Sequence, residues 1–332
     1  MPQTRPLDPI LRPGLIWGFD FVDGRPRPVD DIGLLRPDER PAGFRWLHFN
    51  LADQRTVHWL SQAGLFVPRI AETLLSPDDV QGAVIEGGEM ALVLHDIELE
   101  FWESDPTIGV LRLAVGPSML ITARRHPLRS AEIIKSRIIS GAPVGDPAAA
   151  LELIFQSMTE AFRSVIAELD DKVQSAEDDL LTDRNAPDAR AFITMRSLMA
   201  RLHRLFNGMR SVLAHVRDDG ALPDPFGPPA ERFLARLSTL DGELLSIQSQ
   251  LRLVRDELDL QATQRTNQNL YFLSVLTAVF MPATLVTGFF GMNTGGLPWT
   301  AHSHGTFLAT ILVFGSSLAV YLALRLSGVI RR

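Results

Sequence analysis

The chain has 332 residues, of which 46% are hydrophobic and 21% are charged, and its formal net charge is −7. It contains no cysteine, which excludes disulfide scaffolds and thiolate metal sites. Its acidic balance argues against a nucleic-acid partner, because an acidic surface repels phosphate and attracts cations.

Residues 1–145 mix strand-like and helical patterns. Five runs rich in β-branched and aromatic residues predict strands, and three runs with helical apolar spacing predict helices. The pattern predicts a compact α/β domain with some antiparallel pairing, the first part of an α+β fold. The strands are expected at Leu15–Val22, Arg45–Asn50, Met90–Leu99, Ile108–Val115 and Ser118–Ala123, and the helices at Gln54–Ala63, Arg69–Leu75 and Leu128–Ile139.

Several clusters of acidic residues resemble cation sites at first sight. His95 and Asp96 are followed by Glu98, but alternation along a strand puts the first two on opposite faces, which favours an edge or exposed strand. The runs at 168–171 and 177–179 lie in a predicted helix, where a charged run is typical of a solvated face. Binding of regulatory cations there is the open alternative.

Residues 146–265 carry no strand signal and are predicted to form a helical stalk. Prolines mark the helix starts, because proline is tolerated in the first helical turn. The last helix continues for about 60 residues, roughly 90 Å, and needs partners to bury its surface, which indicates an oligomer. The helices are expected at about 147–182, 187–217 and 230–290.

The C-terminal region, 266–332, is predicted to be a membrane domain. Thr266–Leu324 comprises 59 residues without a formal charge. It contains two apolar stretches, about 270–290 and 307–324, each long enough for a bilayer core of roughly 30 Å, joined by a periplasmic loop at 291–305. Basic residues flank the pair but are absent from the loop, so both termini are expected in the cytoplasm of an inner-membrane, multi-pass protein. No signal peptide is expected.

A stripe of polar side chains follows the first apolar stretch with a period of 3.5 residues, the seam that a left-handed helix bundle turns toward its axis. Such a stripe favours a water-filled pore, because polar groups are costly against lipid. Hydrogen bonding between tightly packed helices is the alternative. The stripe residues are Asn267, Leu270, Ser274, Thr277, Met281, Thr284 and Gly288.

The composition of this stripe suits hydrated cations. Amide and hydroxyl oxygens accept hydrogen bonds from the hydration shell, which magnesium in particular holds tightly. Rings of Leu270, Leu273 and Met281 could close the passage by dewetting. Asp256 falls on the same seam further back, where a carboxylate would gather cations.

Two motifs give the chain a resemblance to a known family. Phe280-Met281-Pro282-Ala283-Thr284 is followed by the run 288–293, which ends in Gly291-Met292-Asn293 between two apolar stretches. This layout resembles the CorA superfamily of divalent-cation transporters. The sequence TGGLP at 294–298, which has no carboxylate, and WLHFN at 46–50 resemble the ZntB zinc-transporter branch rather than the magnesium branch.

The resemblance implies a funnel-shaped homopentamer that moves zinc or, alternatively, magnesium, cobalt or nickel. Asn293 would form an outer ring that meets hydrated cations, with Gly291 and Met292 shaping the turn beneath it. Asp256 would match an acidic ring in the funnel. The matching pore positions are Thr284, Met281, Thr277, Leu273, Leu270 and Asn267.

Two histidines in the loop, His302 and His304, have no counterpart in those motifs. Two imidazoles make a weak zinc site, because zinc usually takes three or four protein ligands, so an ordinary solvated loop is the alternative. The sequence has no phosphate-binding Gly-x-x-x-x-Gly-Lys loop and no His-Glu-x-x-His. We therefore expect neither an enzyme nor a bound cofactor. A membrane-tethered metal sensor or scaffold is the remaining alternative of a different class.

Overall fold

The computed structural model describes residues 14–29, 43–99, 106–182, 189–220, 222–292, 296–299 and 303–329. Contacts divide the chain into two units, an N-terminal unit, Met1–Val254, and a C-terminal unit, Arg255–Arg332. The sequence predictions for Asn293 and His302 concern residues outside the described ranges.

A seven-stranded mixed sheet forms the centre of the N-terminal unit. Its strand order is β2-β1-β3-β7-β6-β5-β4, and all neighbours are antiparallel except β3 and β7. The predicted α+β class is confirmed. The strands are β1 Leu15–Val22, β2 Arg25–Pro28, β3 Phe44–Asn50, β4 Gly82–Glu86, β5 Glu89–Ile97, β6 Ile108–Val115 and β7 Met119–Arg124.

Two of these strands, β2 and β4, were not among the five predicted from the sequence. Both lie at the edges of the sheet, and each is joined to its neighbour by a two-residue turn. Asp23-Gly24 and Gly87-Gly88 form these turns, with all four φ values between +53° and +79°. Such Asp-Gly and Gly-Gly pairs are strong hairpin signals. The two strands themselves give a weak signal, because an edge strand needs few apolar residues of its own.

Helices cover both faces of the sheet. On one face, α1 (Gln54–Gln62) and α2 (Pro68–Leu75) cover a core that includes Leu47 and Phe49. On the other face, α3 (Arg129–Ile139) and the first part of α4 (Pro147–Leu181) contact β5. The sheet is therefore the middle layer of three, and its interior strands are mostly buried, whereas the edge strands β2 and β4 are not.

The carboxylate of Asp96 occupies the second of these helix–sheet interfaces. β5 is an interior strand and Asp96 is fully buried, so the expectation of an edge or exposed strand is wrong. Asp96 accepts hydrogen bonds from the backbone N–H of Ile97, at 2.8 Å, and from the hydroxyl of Ser130 in the first turn of α3. Burial raises the pKa of Asp96 to about 6. Asp96 thus anchors α3 to the sheet.

Three long helices complete the N-terminal unit, and the last of them continues into the C-terminal unit. They are α4, α5 (Ala189–Asp218) and α6 (Gly227–Phe290). The Phe155 ring on α4 stacks on the Phe233 ring on α6 at a centroid distance of 4.3 Å. Glu152 on α4 accepts hydrogen bonds from two arginines of α6. The predicted helices agree with these bounds to within three residues.

The C-terminal unit contains the last part of α6 and α7 (Gly305–Leu326). Among the described helices, these two are long and apolar enough to cross a bilayer, and no residue of their apolar windows is buried within the chain. A core helix of a water-soluble protein can match that length and composition, but its apolar side chains would be covered.

Candidate functional site

The half-buried side chains of the two apolar helices define one face of each helix. In the C-terminal unit the only described elements are these two helices, so their half-buried faces pack against each other. Most of the residues on these faces are small or β-branched, which permits close approach of two backbones. They are Val275, Ala278, Val279, Pro282, Ala283, Val286 and Phe290 on α6, and Ala309, Val313, Ser316, Ser317, Val320 and Leu324 on α7.

The predicted polar stripe lies on the opposite side of α6. At 100° per residue, the positions from Asn267 to Gly288 centre roughly 145° away from the face that meets α7. All seven stripe residues and Leu273 are exposed; Leu270 is 56% exposed and Met281 is 64% exposed. One chain therefore leaves this face of its apolar helix uncovered.

The hydroxyl groups of the stripe are bound to their own helix. Ser274 and Thr277 each donate to the carbonyl four residues earlier at 2.8 Å, and Thr284 does so at 3.0 Å. No hydrogen bond from these three side chains to α7 occurs in the described part of the chain. Each hydroxyl has thus used its donor and presents oxygen lone pairs outward.

An open hollow of about 830 Å³ runs along this uncovered face near the end of α6. Its lining is mainly apolar, with the hydroxyls of Thr277 and Thr284 as polar exceptions. The hollow brings together five of the predicted site residues with four further apolar ones. The lining residues are Leu276, Thr277, Phe280, Met281, Thr284, Leu285, Gly288, Phe289 and Met292.

The end of α6 passes directly into the predicted mouth. The N–H of Gly291 donates to the Thr287 carbonyl at 2.9 Å, and a Cβ at Gly291 would lie only 3.1 Å from that oxygen. A side chain at this position would require the helix end to shift. Met292 follows and is exposed.

An aromatic contact joins the loop to the helix end that precedes the predicted mouth. The Trp299 ring stacks on Phe290, the last residue of α6, at a centroid distance of 6.0 Å and an interplanar angle of 12°. The sequence prediction did not include either residue as a site residue. The signal that could have pointed to Trp299 is a tryptophan beside a membrane stretch, at the level of the headgroups.

A second contact joins the two apolar helices at their other ends. The hydroxyl of Tyr271, at the start of the apolar part of α6, donates to the carbonyl of Val329, just beyond α7. Sequence reasoning missed this residue too, because the two partners are far apart along the chain. This hydrogen bond therefore connects the start of the apolar part of α6 with the segment that follows α7.

The charged and imidazole candidates do not form a metal centre within the described ranges. Asp256 is exposed on α6, and His304 lies at the residue before α7, with Nδ1 3.0 Å from the Ser303 hydroxyl. Among the described residues, no group of three or more His, Asp or Glu side chains is arranged to hold a metal ion. Asp256 on one α6 helix would need copies of itself to form a ring.

Comparisons with known proteins give matches over most of the chain. A family model described as "CorA-like Mg2+ transporter protein" matches residues 41–327. The zinc transport protein ZntB of Pectobacterium atrosepticum is 25% identical over 289 residues, with 86% of each chain covered. The divalent cation transporter CmaX of Pseudomonas aeruginosa is 26% identical over 320 residues, which cover 91% of this chain and 92% of CmaX.

The fold is shared with a solved structure of similar extent. The CorA magnesium transporter from Methanocaldococcus jannaschii superposes with a TM-score of 0.79 at 17% sequence identity. The superposition covers 95% of this chain and 98% of that one.

Proposed function

This chain belongs to the CorA family of divalent-cation membrane transporters, and on that premise we propose that it moves zinc through a central pore lined by α6 of five identical subunits. Members of this family are transporters rather than enzymes. The proposed pore residues are those of the stripe together with Leu273, and Gly291, Met292 and Asn293 form its outer mouth.

The observation that carries the proposal is the uncovered stripe on α6. A row of polar groups that faces hydrocarbon is unfavourable on a bilayer-spanning helix, because no water is there to form hydrogen bonds with them. α7 covers the opposite side, so none of the described residues of one chain shields the stripe. Copies of α6 around a common axis would remove it from lipid and place it on water, with the 3.5-residue period of a left-handed bundle.

The chemistry of the stripe favours a cation that keeps its water. Since Ser274, Thr277 and Thr284 donate to their own backbone, their oxygens remain as acceptors. Water bound to a divalent cation is a strong donor, so these oxygens match a hydrated cation better than a hydrated anion. No carboxylate lies between Thr266 and Leu324, so a passing ion meets no strong trap.

Zinc is preferred over magnesium on two grounds. The ZntB relative is named a zinc transport protein and matches 86% of this chain. The loop after α6 carries two imidazoles and no carboxylate, and imidazole nitrogen suits zinc, whereas carboxylate oxygen suits magnesium. Magnesium or cobalt transport is the second candidate, favoured by the description of the matching family model.

The proposed setting is the inner membrane, with both termini in the cytoplasm and loop 291–305 outside. The basic residues Arg265 and Arg325 flank the uncharged region, which supports this orientation. In a pentamer, the exposed Asp256 side chains would form an acidic ring in the funnel and gather cations near the inner entrance.

Isotope flux into proteoliposomes tests the proposal, with zinc, magnesium, cobalt and nickel compared with and without a pH gradient. We expect zinc flux, and its loss in Asn293→Ala with the oligomer intact by light scattering. Magnesium flux without zinc flux would replace the zinc assignment. Normal flux in Asn293→Ala would support the tether or sensor alternative instead.

The chain offers a matched control for the stripe. Thr277 and Thr310 are both exposed, and each donates to the carbonyl four residues earlier at 2.8 Å, but Thr310 lies on α7. Thr277→Val should reduce flux, because it removes an acceptor from the pore, whereas Thr310→Val should not. Equal behaviour of the two variants would contradict the placement of the stripe.

A further inference from the structure

We propose that Trp299 is a positioning residue for the outer mouth, holding together the two ends of the loop that carries Gly291, Met292 and Asn293. That these residues form a pore mouth rests on the proposed function. The connection that Trp299 makes between the two loop ends, called the clamp below, does not depend on transport. Three observations on the described residues of the C-terminal unit support it, concerning the backbone, the ring and the carbonyl of Trp299.

The backbone of Trp299 is in a conformation that bulky residues avoid. Its φ is +64°, in the left-handed region that is normally occupied by glycine or asparagine. Such a conformation persists only where the surrounding contacts over-determine it, and it concentrates at functional positions. The contacts of Trp299 should therefore include the interactions that hold it in place.

The ring of Trp299 contacts the end of α6. It lies nearly parallel to the Phe290 ring, with centroids 6.0 Å apart, and Phe290 is the residue directly before Gly291. Phe290 in turn makes an edge-to-face contact with Phe289 at 5.6 Å. The stack therefore links the far side of the loop to the helix end from which the mouth begins.

The carbonyl of Trp299 contacts the start of α7. A Cβ added to Gly305, the first residue of α7, would lie 2.3 Å from the Trp299 oxygen and 3.3 Å from its carbonyl carbon. No side chain fits that space without moving backbone. Trp299 thus touches the last residue of α6 with its ring and the first residue of α7 with its backbone, so it sets the separation of the two loop ends.

The simpler explanation of a tryptophan here is an interfacial anchor, since tryptophan is enriched at the headgroup level of membranes. An anchor needs the ring but not the contact between its carbonyl and Gly305. Gly305→Ala therefore separates the two explanations. It displaces the Trp299 backbone, leaves the ring in the chain, and places a good helix-forming residue in the first turn of α7.

Concentration-dependent metal flux gives the functional test. In Trp299→Ala and Gly305→Ala, the half-saturating metal concentration should rise about 2- to 12-fold, the range that the free energy of one aromatic pair corresponds to. Trp299→Phe keeps a stacking ring and should stay near the parent. Phe307→Ala, which removes an exposed aromatic ring close to Gly305, is the control and should also stay near the parent.

A second measurement does not depend on transport. Because the chain has no cysteine, Met292→Cys gives a single attachment point for a spin label beside the motif. The label should be more mobile in Trp299→Ala and Gly305→Ala backgrounds than in the parent and Trp299→Phe backgrounds. Electron paramagnetic resonance in proteoliposomes measures this directly.

The outcomes separate failure of the clamp from failure of the proposed function. Unchanged label mobility in Trp299→Ala and Gly305→Ala would overturn the clamp. The clamp would also be overturned if only Trp299→Ala changed the half-saturating concentration and the label mobility, while Gly305→Ala kept the parental values of both. That result is the behaviour of an interfacial anchor. If the parent carries no divalent metal, the proposed function fails, while the label still decides whether Trp299 orders the loop.

Discussion

The two units of this protein treat their apolar side chains in opposite ways. Every residue of the described hydrophobic core lies at or before Val254, whereas most of the large apolar side chains that are exposed lie beyond it. The N-terminal unit encloses its core between a sheet and helices, as a water-soluble domain does. In the residues that the structure describes, the C-terminal unit has two helices and no enclosed core, and no residue of α7 is buried.

This difference shows where each unit obtains its stability. Burial of apolar surface inside one chain stabilises the N-terminal unit by about 25 cal/mol per Å² removed from water. The C-terminal unit must obtain its surroundings from lipid and, as proposed above, from further copies of α6. A substitution should therefore act on folding in the first unit and on transport in the second.

The largest expected effect concerns a phenylalanine from each unit. Phe155 is fully buried against Phe233, and Phe280 is 58% exposed. Phe155→Ala should lower the free energy of unfolding of the N-terminal unit by about 3–5 kcal/mol, through lost burial and a cavity. Phe280→Ala should leave it within about 0.5 kcal/mol, as for other uncovered positions.

Chemical denaturation of the detergent-solubilised chain, followed by near-ultraviolet circular dichroism, measures both variants. A comparable loss in the two variants would break the comparison, because it would mean that the units unfold as one.

A smaller effect should appear in the pH dependence of the N-terminal unit. The pKa of Asp96 rises from 3.8 to about 6 on folding, because burial disfavours its charged form. Between pH 3.8 and 6 the folded state binds more protons than the unfolded state, so this group makes stability fall as the pH rises. Asp96→Asn should remove that loss and stabilise the unit at pH 7 by up to about 3 kcal/mol.

His48 provides an internal reference for this measurement. Burial, assisted by Arg124, lowers its pKa to about 3, so its contribution to stability is lost as the pH falls from 6.5 toward 3. In Asp96→Asn the His48 contribution remains unopposed, and stability should fall more steeply on acidification than in the parent. Identical pH profiles for the parent and the variant would show that Asp96 does not titrate in this range.

The smallest effect is expected at the proposed constriction of the C-terminal unit. Leu270 and Leu318 are each 56% exposed, but Leu270 lies on the stripe and Leu318 on the side of α7 that faces away from α6. Leu270→Ser should raise leak through the closed pore by roughly tenfold, a change of ~1.4 kcal/mol, because it removes an apolar ring that excludes water. Leu318→Ser should not change the leak.

Conductance across planar bilayers under closed conditions distinguishes the two serine variants. A leak that rises in both would indicate general disruption of the helix pair, and no rise in either would move the constriction away from Leu270.

The helices were predictable because their signals are local. A run of 59 residues without charge and an unbroken helical sequence before Pro282 suffice for α6, and the bounds agree with the structure closely. The stripe follows from the same periodicity, and the structure leaves it exposed. Its role in conduction stays a prediction, as do the roles of Asp256 and His304.

The contacts around the loop and inside the sheet were not predictable in this way. Asp96 was expected on an edge or exposed strand. The Gly87-Gly88 pair is a local signal that β4 forms a hairpin with β5, but nothing near Asp96 in the sequence shows that Ser130 of α3 would cover it. Trp299, Gly305 and Tyr271 were missed for the same reason. Their partners lie at the other end of a loop or of a helix pair.

The sequence alone determined that a charged, mixed α/β region precedes a long helix and two apolar stretches, since hydrophobic period and charge are properties of neighbouring residues. The tertiary structure decided which side of α6 is covered by α7, which strands close the sheet, and which residues hold the loop ends together. These depend on distances between residues far apart in the chain, which no local pattern encodes.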